Sequence, residues 1–189
     1  MFDLNRLYNA DCMEAMKEIP DGFFQLAICD PPYGIKHDGQ RKRVHNNVKH
    51  NRKLHARKGW VVWDKGQHGL SMSDCELAYS SFDCPTRVVV INRAELQRDG
   101  DTIHPTQKPV RLYEWILQNY AHPGDRILDT HAGSASSLIA CYRQGFEFVG
   151  FEIDRDYYAK ASERLAAEMA QIRFSDYSEQ TGIEKEELS

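Results

Sequence analysis

No stretch of this chain approaches the roughly 20 consecutive apolar residues needed to cross a bilayer, which argues against an integral membrane protein. Cysteine is sparse and unpatterned: Cys12, Cys29, Cys75, Cys84 and Cys141 are odd in number and include no CxxC pair. That argues against a disulfide framework or structural zinc and fits a reducing compartment. The opening "MFDLNRLYNADCME" lacks the basic and apolar regions of a signal peptide, so a cytoplasmic location is expected. The dinucleotide fingerprint GxGxxG is missing because Ala135 stands where its second glycine would be, and no Lys-Ser/Thr pair follows to make a Walker loop. No internal repeat is visible.

The composition is ordinarily globular, with 41% hydrophobic and 28% charged residues. A chain of 189 residues is expected to form one domain and to bury roughly two-thirds of its unfolded surface. The net charge of −4 hides an asymmetry. Nine Lys/Arg and a single acid, Asp38, lie between Lys36 and Lys58, a local charge of +8. The remainder therefore carries −12. An acidic body with one basic segment fits an anionic partner met at one place; a solvated loop accounts for the charge equally well. The histidines of that segment, His37, His45, His50 and His55, read as loop residues, and no metal site is expected.

Residues 11–22, "DCMEAMKEIPDG", read as a short helix stopped by Pro20 and Gly22. "FFQLAIC" is continuously apolar, the mark of a central strand covered on both faces. "GWVVW", "CELAYSSF" and "TRVVVI" are three β-rich runs, expected to form an antiparallel set. In "PVRLYEWILQNY" the residues Val110, Leu112, Tyr113, Ile116, Leu117 and Tyr120 fall at helical spacing. "RILDT" reads as a buried strand, "HAGSASSLIACYRQG" as a Gly/Ser turn entering a helix that stops at Gly145, and "FEFVGFEID" as another strand. "RDYYAKASERLAAEMAQI" reads as a helix with Tyr158, Ala161, Leu165 and Met169 inward. This alternation over residues 106–170 builds a parallel sheet with helices on both faces, and such sheets bind ligands outside the carboxyl ends of their strands.

Two places bear on chemistry. "LDTHAGSASS" ends a strand at Asp129, turns at Gly133 and opens a helix on small residues; the glycine admits a ligand close to the backbone, and helix N–H groups suit an anion. About 20 residues on, Glu152 ends the next strand, where an acid can accept ribose hydroxyls, although a helix dipole would also attract it. The stretch "LAICDPPYGI" ends an apolar run in an acid, two prolines, a tyrosine and a glycine. A plain turn explains neither the acid nor the tyrosine.

Three blocks resemble the β class of amino-methyltransferases, S-adenosylmethionine-dependent enzymes that methylate exocyclic amines of DNA bases. They are residues 7–35 with "DPPY", residues 104–145 with "HPTQKP" and "DTHAGSASS", and residues 146–165; together they cover about half the chain. "DTHAGSASS" is most similar to phage-type members, with His131 in place of the usual phenylalanine. The resemblance implies an α/β, Rossmann-like methyltransferase fold with a compact sheet, circularly permuted so that the catalytic block precedes the cofactor block. A single domain over residues 1–170 is expected, with a basic loop over 36–58 replacing the usual insert and an acidic tail, 171–189, that frays.

The class methylates an amine whose lone pair is delocalised into the base. It is taken to hold the two amine N–H bonds on an aspartate carboxylate and a proline carbonyl, which implies Asp30 and Pro31 here. Pro32 stiffens the ledge, and Tyr33 would stack on a base flipped from double-stranded DNA. By the same resemblance Asp129 and Gly133 line the methionine end of S-adenosylmethionine, with His131 and Ser134 also among the cofactor-binding residues. His104, Thr106 and Lys108 lie near its carboxylate, Glu152 holds the ribose and Ile153 the adenine. Asp11 is either a contact to the cofactor's amine or the N-cap of the helix, with Glu14 at the capping-box position. Arg41, Lys42, Arg43, Arg52 and Lys53 would grip DNA phosphates.

The match thins in the middle. Family members usually carry a helix, a strand and a second helix where only the 24 residues Ile35 to Lys58 stand. The expected activity is adenine-N6 methylation, since Asp30 stands where cytosine-amine enzymes more typically have serine. N4-cytosine methylation and a shortened, inactive remnant that binds DNA or cofactor are the alternatives. A homodimer stays open.

Overall fold

The computed structural model describes residues 2–30, 59–69, 71, 73–92 and 94–181. The chain divides into two compact units, one of Met1–Asp30 with Leu96–Ser189 and one of Pro31–Glu95.

The first unit is built on four parallel strands in the order β1-β7-β6-β2: β1 (Arg6–Asn9), β2 (Leu26–Ile28), β6 (Arg126–Asp129) and β7 (Glu147–Glu152). Successive side chains of a strand point to opposite faces, and both faces are covered. Leu7, Leu26, Ile127 and Phe148 face a core shared with α3 (Val110–Tyr120), α4 (Ser136–Arg143) and α5 (Arg155–Thr181). Leu128, Val149 and Phe151 face Cys12 and Ala15 of α1 (Cys12–Ala15), with Phe2 and Leu4 alongside. Burial on two sides explains why β6 and β7 read as unbroken apolar runs. β2 departs from expectation: among the described strands it lies at an edge of this sheet, and Ala27 is exposed. Its apolar character reflects Leu26 and Ile28, which pack on one face only.

Helix ends follow local chemistry. Asp11 caps α1, its Oδ1 accepting from Met13 N at 2.8 Å; Glu14 turns away to Lys17, so no capping box forms. The first N–H of α3, on Val110, donates to Asp99 Oδ2 at 2.8 Å. Asp154 Oδ1 accepts from Asp156 N and Tyr157 N at the start of α5, and α5 continues to Thr181, past the point where the sequence suggests fraying. The inward positions Val110, Leu112, Tyr113, Leu117, Ala161 and Leu165 are buried as their spacing requires.

The second unit holds β3 (Trp60–Asp64), β4 (Cys75–Tyr79) and β5 (Arg87–Val90), in the order β4-β3-β5; α2 (Glu95–Arg98) follows at the boundary between units. β3 and β4 are antiparallel, whereas β3 and β5 are parallel, which corrects the all-antiparallel expectation. The reason lies in the link. Tyr79, at the end of β4, pairs with Trp60 at the start of β3, and the following residues cross that end before β5 begins opposite Val61. Ser80 N donates to Gly59 O at 2.6 Å during the crossing. A Cβ on Gly59 would sit 2.4 Å from Phe82 O, so only glycine fits under the link. Trp63 anchors the sheet, its Nε1 donating to Ile91 O at 2.8 Å.

Gly59→Ala is expected to cost about 1–3 kcal/mol by overpacking against backbone, read as a lowered midpoint in urea unfolding. An unchanged midpoint would mean the link moves aside freely.

Candidate nucleoside-cofactor and amine site

Parallel strands end on the same side, so the residues just past β2, β6 and β7 share one edge. Ile28 pairs with Asp129 and Asp129 with Gly150, while Asn9 of β1 pairs with Glu152. Asp30, Asp129 and Glu152 therefore converge although 99 and 23 residues separate them in sequence.

Glu152 is almost buried and is aimed by backbone. Its Oε2 accepts from Gly133 N and its Oε1 from Asp154 N, each at 2.9 Å. A carboxylate has about four lone-pair sites, so acceptor capacity remains for a diol. Asn9 Nδ2 donates to the carbonyls of Glu152 and Ile153 at 2.9 and 3.1 Å, fixing this strand end. Ile153, next in the chain, is 66% exposed, an apolar surface beside the acid.

The glycine corner is held from several sides. Gly133 has φ +52°, and a Cβ there would lie 3.6 Å from the His104 ring. Ala135 also adopts a left-handed φ of +60° ahead of α4, a conformation costing a non-glycine residue roughly 1–2 kcal/mol. Arg164 of α5 offsets this by donating from Nη1 to Ser134 O at 2.8 Å and to Ser136 Oγ at 2.9 Å. Ser134 Oγ lies 3.0 Å from Ser136 Oγ. Asp129 accepts from His131 N at 2.9 Å and from Ser137 Oγ. Burial is the main reason its carboxyl is pushed up to about 6, with the charges of Asp30 and Glu152 adding to it and the two donors opposing.

His104 stands over this corner. Its Nδ1 accepts from Thr106 N at 3.3 Å and lies 3.1 Å from Thr106 Oγ1; its ring meets Tyr157 edge-on at 4.4 Å. Burial lowers its pKa. His131 turns its side chain elsewhere: Nδ1 lies 2.8 Å from Thr130 Oγ1 and Nε2 3.9 Å from Cys12 Sγ, so its backbone N–H is the group given to Asp129. Lys108 is ion-paired with Asp30.

Of the residues expected from sequence, Asp30, His104, Thr106, Lys108, Asp129, Gly133, Ser134, Glu152 and Ile153 lie at or beside this edge, and Asp11 is seen as a helix cap. Pro31, Pro32, Tyr33, Arg41, Lys42, Arg43, Arg52 and Lys53 lie outside the described residues. Asn9, Ser137 and Arg164 were not anticipated. Ser137 had a faint signal, one turn into the helix after the acid it serves, whereas Arg164 reads as an ordinary helix-surface cation.

An acid at one strand end, a glycine corner at its neighbour's and an exposed apolar residue beside them stand where an open parallel α/β sheet takes its ligands. Residues 60–163, more than half of the chain, match the family described as DNA methylase, of N6/N4 type, and the chain belongs to that family. It is 35% identical over 68 residues to YubD of Escherichia coli (strain K12), covering 36% of this chain and 30% of that protein. It is 40% identical over 65 residues to the type II methyltransferase M2.DpnII of Streptococcus pneumoniae, covering 34% and 24%. The match thus spans under a third of either relative. Among solved structures, the M1.HpyAVI–SAM complex has a TM-score of 0.56 at 20% identity, covering 84% of this chain and 98% of that one. The cytosine-N4-specific PvuII DNA methyltransferase has 0.58 at 14% identity, covering 88% and 91%. At such identities the likeness is one of fold, and the fold is the Rossmann-like one of S-adenosylmethionine-dependent methyltransferases.

Asp129 binds a proton more tightly folded, near pH 6, than unfolded, near 3.8. Its contribution to stability is therefore largest below pH 4 and is lost as pH rises to about 6. Relative to Asp129→Asn, the wild type should lose about 3 kcal/mol across that window and nothing further above it, as read from denaturant midpoints at each pH. A constant difference would mean the acid is not desolvated.

Proposed function

We propose that this chain is a DNA methyltransferase that transfers the methyl group of S-adenosylmethionine to the exocyclic N6 amine of adenine. The single observation behind this reading is the register of the parallel sheet: it sets Asp30, the acid of the DPPY run, on the same edge as Asp129, the glycine corner and Glu152. An acceptor for an amine and a cradle for a nucleoside then belong to one site.

The residues present fit the cofactor. Glu152 keeps acceptor capacity for the ribose hydroxyls, Ile153 offers an apolar face for the adenine, and Gly133 leaves room for close approach. When bound, S-adenosylmethionine would supply an electrophilic sulfonium methyl and would leave as the neutral thioether, so that the amine would give up one proton to water. Asp30 accepts one amine N–H and so orients the nitrogen; Pro31 O would take the other, with Tyr33 stacking on the flipped base. No metal is needed, because a sulfonium is already an activated donor. In chain order the acceptor block precedes the cofactor block, the circular permutation of this class. Asp30 in place of serine favours adenine over cytosine. The basic run 36–58 would meet the phosphates of double-stranded DNA, and dimerisation of the chain is compatible with this reading.

One observation favours a second reading, an inactive remnant that binds DNA or cofactor: the match covers under a third of its curated relatives. Labelled cofactor with mixed-sequence duplex DNA, digested to nucleosides, separates them. Label in methyladenine supports the proposal; label in methylcytosine moves it to the N4 alternative; cofactor binding without label supports the remnant.

Asp30→Ala should abolish transfer, by about 100-fold or more, while cofactor affinity by calorimetry stays within several-fold; a fully active variant refutes the acceptor role. Replacing Arg41, Lys42 and Arg43 with glutamine should weaken DNA binding and flatten its log–log salt slope by about 3. An unaltered slope would place these cations away from phosphate.

A further inference from the structure

Lys108 belongs to "HPTQKP", a run that resemblance alone assigns to the cofactor's side. The ion pair in the structure points elsewhere. Its Nζ donates to Asp30 Oδ2, joining residues 78 positions apart, with the two side chains only 15% and 23% exposed. We infer that Lys108 is a positioning residue of the methyl acceptor, holding the Asp30 carboxylate in its working orientation rather than binding the carboxylate of the cofactor. The inference rests on the function proposed above.

Three physical points lead to it. Asp30 lies two residues beyond Ile28, the last residue of β2 paired among the described residues. Its carboxylate could turn about both side-chain torsions, and an acceptor that turns loses the aim on which in-line attack depends. The ammonium of Lys108 restrains that rotation. A carboxylate also has about four lone-pair sites, so donation to Oδ2 leaves room for one N–H of a base.

The third point is charge. Asp30, Asp129 and Glu152 crowd one edge, and like charges so placed repel. Asp129 is met by a serine hydroxyl and a backbone N–H, and Glu152 by two backbone N–H groups, all neutral donors. Lys108 brings positive charge to the acid nearest the incoming base. A compact ammonium suits a single oxygen, whereas a planar guanidinium would reach for both and compete with the amine.

The test compares wild type, Lys108→Met and Lys108→Arg in single-turnover methyl transfer to duplex DNA at saturating cofactor, with cofactor affinity measured by calorimetry. Lys108→Met should slow transfer roughly 10- to 100-fold and change the cofactor Kd less than threefold. Lys108→Arg should recover part of the rate, and adding Lys108→Met to Asp30→Ala should slow that variant no further. A tenfold or greater loss of cofactor affinity, with the saturated rate intact, overturns the inference and places Lys108 on the cofactor. A Lys108→Met chain as fast as wild type overturns it as well. A wild-type chain that transfers no methyl overturns the functional reading and the inference together, and is recognised from the wild type alone.

Discussion

Everything at the candidate site depends on four strands running the same way. In a parallel sheet each strand delivers its final residue to the same edge, and here β6 lies between β2 and β7. That order puts the acid after β2 on one side of the glycine corner and the acid ending β7 on the other. Reversing β2 would carry Asp30 to the opposite edge while leaving every local feature of the DPPY run untouched. The site is therefore a property of strand direction and register before it is a property of any side chain.

The edge gathers acids, which is unfavourable unless each is held. Asp129 is buried against Ser137 and the His131 N–H, Glu152 is clamped between two backbone N–H groups, and Asp30 meets Lys108. Neutral donors aim a carboxylate without cancelling its charge, so Glu152 remains a strong acceptor. The left-handed Ala135 adds local strain, and Arg164 reaches across from α5 to steady the same turn. Strain kept at a turn and restrained by a distant helix is a common feature of ligand clamps.

Membership of the DNA methylase family rests on residues 60–163, which include the three strands of the second unit, α3, the glycine corner and the Glu152 strand. The acid of the DPPY run lies outside that match. The fold likeness to solved methyltransferases extends over more than four-fifths of the chain and so reaches beyond that match. The described strands fall into a sheet of four and a sheet of three.

Much was legible in the amino-acid order alone. Helical spacing placed Val110, Leu117, Ala161 and Leu165 inward, the apolar runs located β6 and β7, and Asp30, Gly133 and Glu152 could be singled out as candidate site residues, because each depends on neighbours a few residues away. Strand pairing could not be read, since it is decided by contacts across long separations: β2 lies at an edge among the described strands, and β5 lies parallel to β3 because its link crosses at Gly59. For Asp11 the sequence offered a helix cap and a cofactor contact alike, and the structure shows the cap. The partners of Arg164 and Lys108 were hidden: Arg164 clamps the serine corner and Lys108 sits on Asp30, since an ion pair spanning 78 residues exists only after the chain has folded back on itself.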